Sequence, residues 1–285
     1  MKKKVITGFV LLGILIVALW AMNSLFFPAL LAFFACIAVY EVEKAVDLKN
    51  IPAVVLSLIV AGSMPLIMHY KEYLSNYFVY IPHILLLYAV IMLIFMLAFH
   101  EKTKFYQIAV GIFSSLFFPA CFAIFVILRD MGGEIAAKSA KSGAAFLILW
   151  PGFAAWGADA FAQITGMIFG KHKLSPNISP NKTIEGAAGG VVVATLLSLS
   201  MLAVFNKFFF TGEVVPYWVA LLVTPVLSII GILGDLTASV IKRNSGIKDF
   251  GKIFPATGGV MDRCDSAIFT FSIYYCFLPL IINRV

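Results

Sequence analysis

The sequence predicts an all-α, polytopic integral membrane protein of about nine spans with its N-terminus in the cytosol. Three observations carry that expectation. The chain is 62% hydrophobic and only 12% charged, with a mean hydropathy of +1.00, whereas soluble domains are nearer half apolar and a quarter charged. Apolar runs long enough to cross ~30 Å of hydrocarbon follow one another along the chain. The net charge of +7 is gathered in alternate loops, so it reads as topology and does not imply a nucleic-acid partner.

The runs can be taken in order. Met1-Lys2-Lys3-Lys4 before an apolar run resembles the start of a signal peptide. The run Val5–Met22 is long, though, and no small-residue cleavage pattern follows, so a retained first span is expected. Leu25–Tyr40 follows so closely, across Asn23-Ser24, that the two must form an antiparallel hairpin. Glu41, Glu43 and Asp47 with Lys44 and Lys49 read as a solvated inner loop. The remaining spans are Ile51–Met68, Ile81–Phe99, Ile108–Leu128, Ala145–Phe169, Gly186–Phe205, Val215–Gly234 and Ser266–Ile282. Tyr70, Tyr73, Tyr77 and Tyr80 suggest an interfacial aromatic belt, and Pro119, Pro151 and Pro225 fall where membrane helices tolerate kinks. Residues 1–285 read as one membrane domain, with supporting spans in 1–144, a catalytic set in 145–285 and a possible homodimer contact.

Orientation follows from the positive-inside rule. With the N-terminus inside, the inner segments hold Lys2–Lys4, Lys44, Lys49, Lys102, Lys104, Lys171, Lys173, Lys182 and the basic residues of 242–263. The outer segments hold only Lys71, Arg129, Lys138, Lys141, Lys207 and Arg284. Both polar clusters of the chain therefore face the cytosol, where nucleoside triphosphates are.

The denser cluster runs from Gly231 to Asp265. It contains Asp235, Asp249, Asp262 and Asp265 together with Lys242, Arg243, Lys248, Lys252 and Arg263. Asp235, Ser239 and Lys242 are spaced i, i+4, i+7 and share a helix face; Asp262, Asp265 and Ser266 share another. Gly246, Gly251, Pro255, Gly258 and Gly259 between them make a loop whose backbone can approach a ligand. Two carboxylate faces flanking a basic, glycine-rich loop suit a polyphosphate carrying Mg2+, since that ion is held by carboxylates and shared with substrate phosphates. Asp235 and Asp262 are the candidates for one or two divalent ions, with Asp265 beside them. Lys242, Arg243 and Lys182 are candidates for phosphate neutralisation, and Ser239 for a hydrogen bond.

The second cluster, Lys171–Glu185, offers Ser179, Lys182 and Thr183 to phosphate oxygens. Gly186, Gly189 and Gly190 after it predict close helix packing. Asp159 lies inside the run WPGFAAWGADAFAQITG, where a carboxylate is costly unless paired or solvated, so it is a candidate wall of an intramembrane site. Cys36, Cys121, Cys264 and Cys276 have no metal-ligand or disulfide-framework spacing.

From Ser239 to Asp265 the chain reads S-x-I-K-R-x4-K-D-x-G-x2-F-P-x-T-G-G-V-x-D-R-C-D. This is similar to the signature of phosphatidate cytidylyltransferases (CDP-diacylglycerol synthases). Asp159–Gly190, with GKHKLSPNISPNKTIEGAAGG, resembles a second block of that family. The resemblance implies CTP and phosphatidate as substrates at the bilayer, a Mg2+-dependent transfer giving CDP-diacylglycerol and pyrophosphate, and a place in the bacterial inner (cell) membrane. It also implies substrate-binding roles for Lys248, Asp249, Gly258, Gly259 and Arg263. This chain departs from the family pattern at Thr257, where His is usual, at Ala256, where Gly is usual, and at Ala238, where Glu is common. Cys264 is an unusual occupant. Three other readings stand beside this one: a cytidylyltransferase for another lipid phosphate, a weakened paralogue, and a transporter using the buried Asp159.

Overall fold

The computed structural model describes residues 2–133, 135, 138–211, 214–254 and 258–282, with side chains from Thr7 to Pro279 within them. The departures at Ala256 and Thr257 lie outside the described residues. The protein is an all-α polytopic membrane protein. Its helices are α1 (Lys2–Trp20), α2 (Phe26–Ala45), α3 (Ile51–His69), α4 (Lys71–Leu74), α5 (Ile81–Ala98) and α6 (Phe105–Asp130). They continue with α7 (Ala140–Gly152), α8 (Ala158–Phe169), α9 (Ile184–Phe208), α10 (Tyr217–Asn244) and α11 (Met261–Ile282). A two-stranded antiparallel hairpin, β1 (Lys173–Ser175) and β2 (Ser179–Thr183), precedes α9. Among the described residues, seven helical segments are long and apolar enough to cross a bilayer, and Thr7–Trp20 is a shorter apolar helix. The chain forms two compact units, residues 1–126 with 247–262, and residues 127–246 with 263–285.

In the first unit, α2 packs on α3, and a core of Leu48, Ala53, Tyr88, Met92 and Ile108 is shared by the segments around it. The turn after α2 is held by polar side chains. Asn50 caps α3 by accepting from the Ala53 N–H at 3.3 Å, and its amide donates to the Phe95 carbonyl at 3.0 Å and to Thr103 Oγ1 at 3.2 Å. Gln107 donates to the carbonyls of Val46 (3.0 Å) and Asp47 (2.9 Å). Asp47 takes a left-handed φ of 57°, a conformation that Asp tolerates better than most residues.

One expectation fails here. Glu41 and Glu43 are not in a solvated loop: α2 continues to Ala45, leaving Glu41 4% and Glu43 1% exposed. The apolar run stops at Tyr40, but hydrogen bonding within the helix does not depend on hydropathy, and the last turns carry Glu41 and Glu43 inward while Lys44 stays exposed. The tyrosines at 70, 73, 77 and 80 are exposed, as an interfacial belt requires.

In the second unit, α8 packs on α9 and α9 on α10. The α8–α9 contact runs through the predicted glycines: a Cβ at Gly190 would overlap the Ala158 carbonyl, and one at Gly189 would lie 2.6 Å from Thr165 Oγ1. Between α7 and α8 the chain makes one π-helical turn, Phe153–Gly157. Pro151, just upstream, removes an N–H from the helical ladder, the usual reason for such an irregularity. Phe146, Trp150, Phe205, Phe210 and Tyr274 pack their rings together, and Trp150 Nε1 donates to Thr224 Oγ1 at 2.9 Å.

Candidate active site

The second unit gathers charge in a place built by close helix packing. At Gly234 a Cβ would stand 2.7 Å from the Asp265 carbonyl oxygen and 2.9 Å from the Phe269 ring. Only glycine lets α10 touch α11 there, and the contact brings Asp235, the next residue, to the start of the α11 face carrying Asp265. Three carboxylates are electrostatically linked there. Asp265 is 7% exposed and interacts electrostatically with Asp235, Asp159 and Lys242. Asp159 hydrogen-bonds Ser266 and interacts with Asp235, Lys182 and Arg263. It enters on α8 directly after the π turn, whose backbone is tied to α10 by Ser228 Oγ donating to the Ala154 carbonyl at 2.9 Å. Turns of this kind recur at functional sites because they re-aim the following side chains.

The cations come from two elements. Lys182 on β2 forms an ion pair with Asp235 Oδ2 at 2.5 Å, both side chains being about one-quarter exposed. Lys242 sits on α10 two turns beyond Asp235, and the Arg243 guanidinium reaches the Ile178 carbonyl at 3.5 Å. Lys171–Glu185 is a hairpin around a Pro176-Asn177 turn, where the sequence alone suggests a loop; Pro and Asn are suited to such turns. Glu185 accepts from the N–H groups of Lys171 (3.1 Å) and His172 and from His172 Nδ1 (2.6 Å), tying the hairpin to α9. Thr183 has a structural role as well. It caps α9, its hydroxyl accepting from the Gly186 N–H at 3.1 Å. Ser179 is on β2, partly buried, and Ser239 is buried on α10 one turn after Asp235.

Of the remaining candidates, Lys248, Asp249, Gly258, Gly259 and Asp262 lie in the first unit, and Arg263 is the first residue of the stretch of α11 that belongs to the second. Lys248 and Asp249 are exposed. Gly258 has φ +91°, reserved for glycine, and its carbonyl accepts from the Phe254 N–H at 2.9 Å. Asp262 is 7% exposed, and its Oδ2 accepts from the N–H groups of Phe250 (2.8 Å) and Gly259 (2.9 Å). Arg263 is exposed, and its carbonyl accepts from Trp156 Nε1 at 3.3 Å.

Among the described residues, no three His, Cys, Asp or Glu side chains are grouped as a metal cage. Mg2+ needs none. It takes one or two carboxylates and completes its shell with water and substrate phosphate. Asp235 and Asp265 are carboxylates of the kind such an ion takes.

Comparison with known proteins decides what this constellation belongs to. The profile of the cytidylyltransferase family matches residues 2–281. The chain belongs to this family. Membership places it among enzymes that transfer a nucleotidyl group. A phosphatidate cytidylyltransferase of Bacillus subtilis (strain 168) is 30% identical over 283 residues, 98% of each chain. One from Staphylococcus haemolyticus (strain JCSC1435) is 40% identical over 153 residues, 54% of this chain and 56% of the relative. One from Staphylococcus epidermidis (strain ATCC 35984) is 47% identical over 125 residues, 44% of each chain. The chain thus spans about half the length of the Staphylococcus relatives in these alignments and nearly all of the Bacillus one.

Sequence reasoning missed one polar residue of this cytidylyltransferase that touches the signature segment. Glu41, on α2, accepts from the N–H groups of Val260 at 3.2 Å and Met261 at 2.9 Å. Nothing in a single sequence links position 41 to a segment more than two hundred residues away; the faint signal was an acidic residue directly following an apolar run.

Proposed function

We propose that the protein converts phosphatidate and CTP to CDP-diacylglycerol and pyrophosphate at the cytosolic face of the bacterial cell membrane. The observation that carries this is the meeting of Asp159, Asp235 and Asp265 with Lys182 and Lys242 in a chain of the cytidylyltransferase family. Its relatives are named for phosphatidate, and the Lys/Arg tally supports the cytosolic side.

The reaction needs placement and charge neutralisation more than covalent help from the protein. The phosphatidate oxygen attacks the α-phosphorus of CTP, the bond to the bridging oxygen breaks, and pyrophosphate leaves with that electron pair. Phosphatidate is already ionised at neutral pH, so no strong base is required. Lys182, Lys242 and Arg243 offset the phosphate charge, and Ser239 donates a hydrogen bond. Asp235 and Asp265 would hold a Mg2+ ion, which would supply charge stabilisation to the phosphates, and Asp262 is a candidate ligand in its own loop. In that state Lys182 exchanges part of its bond with Asp235 for substrate oxygens. Lys248, Asp249, Gly258, Gly259 and Arg263 contribute to the nucleotide side, and Asp159 with Ser179 to the walls.

Product analysis tests this reading. Purified protein given CTP and Mg2+ should make a CDP-linked lipid from phosphatidate and none from an isoprenoid lipid phosphate. A CDP-linked product from the isoprenoid phosphate alone would overturn the choice of substrate.

A further inference from the structure

Glu41 is enclosed by the signature loop. Its two carboxylate oxygens accept from successive backbone N–H groups, Oε1 from Val260 and Oε2 from Met261, at 3.2 and 2.9 Å. A Cβ at either Gly251 or Gly259 would overlap its carboxylate. The side chain is 4% exposed. From the other flank, Asp262 Oδ2 takes the N–H groups of Phe250 and Gly259 at 2.8 and 2.9 Å. Four backbone donors of one loop thus close on two carboxylates, and Met261, held by Glu41, is the first residue of α11. An acceptor at that point also meets the positive end of the helix dipole.

We infer that Glu41 is a positioning residue of the transfer reaction: it clamps the glycine loop and sets the start of α11, and through them the carboxylate of Asp262. The inference rests on the function proposed above. Glu41 touches no reacting atom. Its carboxylate holds two N–H groups at once, so the loop cannot swing or the helix start rotate without leaving a buried charge unpaired. Gln in its place keeps the size but has one acceptor oxygen, and its NH2 would face a backbone N–H.

The test uses the full-length protein in detergent or nanodiscs and compares wild type, Glu41→Gln, Glu41→Asp and a core control, Met92→Ala. Two quantities are read: hydrogen exchange of the peptide spanning 250–262, and kcat and KM for CTP with the Mg2+ dependence. Glu41→Gln should exchange about tenfold or more faster at Val260 and Met261, the factor carried by one lost charge-assisted bond. It should also raise the half-saturating CTP and Mg2+ concentrations about fivefold or more, with Glu41→Asp restoring part of both. Met92→Ala, which only loosens the core, should lower the thermal midpoint without shifting either concentration. Faster exchange with unchanged KM and Mg2+ dependence would overturn the positioning role and leave a structural cap. Unchanged exchange would overturn the clamp itself. Wild-type protein without phosphatidate-dependent pyrophosphate release would overturn the reaction and the role in it, while the exchange measurement still decides the clamp.

Discussion

Two groups of buried or half-buried acidic side chains in this protein are treated in opposite ways. Glu41 and Asp262 accept from backbone N–H groups and finish the hydrogen bonding of a loop and a helix start. Asp159, Asp235 and Asp265 interact electrostatically with one another and with two lysines. The first arrangement costs little because each buried charge has fixed dipoles aimed at it. The second leaves like charges close together, which favours any cation or phosphate–metal complex that enters. Residue type therefore does not tell these two settings apart; the partners of each carboxylate do.

The contrast is broken most sharply by neutralising one member of each group. Asp265→Asn should lower kcat/KM for CTP-dependent pyrophosphate release by about 10²–10³-fold, since several kcal/mol of charge stabilisation are at stake. Its thermal midpoint should hold or rise, because repulsion from Asp235 and Asp159 is relieved. Asp262→Asn should lose activity and also unfold at lower temperature, because the acceptor of the loop N–H groups of Phe250 and Gly259 is weakened. Thermal melts and steady-state rates on the same samples check both, and a stability loss in Asp265→Asn equal to that in Asp262→Asn would erase the distinction.

Lys182→Met should cost about 10–100-fold in kcat/KM, the range of a hydrogen bond to a charged group. Because Lys182 is a partly exposed cation paired with Asp235, the loss should appear more in CTP affinity than in folding, as isothermal titration would show. Gly234→Val should destabilise by about 1–3 kcal/mol, the range of overpacking, with loss of activity, since the new side chain forces α10 away from the Asp265 carbonyl. The smallest effect belongs to Lys248→Ala. This side chain is exposed, so its rate should change by no more than about threefold at physiological salt.

The membrane architecture was legible because hydropathy and helix period act locally. The extents of α3 and α5 and the α8–α9 glycine contact follow from runs and spacings within one segment. So does the grouping of Asp235, Ser239 and Lys242 along α10. The rest depends on distant partners. Glu41 and Glu43 looked solvated because charge ended an apolar run, yet what buries Glu41 is a loop far along the chain. Asp262 and Asp265 are indistinguishable as aspartates three residues apart on one helix, but Oδ2 of the first is taken by backbone N–H groups and the second faces other carboxylates. Thr183, offered by the sequence as a phosphate contact, also caps α9, a role equally open to Thr at that spacing.

The central claim is that the carboxylate–lysine cluster around Asp235 carries out cytidylyl transfer to a lipid phosphate. It is tested most directly by pyrophosphate release from the purified protein with CTP and Mg2+, with and without phosphatidate, for wild type and Asp235→Asn at matched folding. The account predicts release that requires phosphatidate in the wild type and falls by at least about 10²-fold in Asp235→Asn. Release that is indifferent to phosphatidate, or near wild-type release by Asp235→Asn at saturating Mg2+, would contradict it.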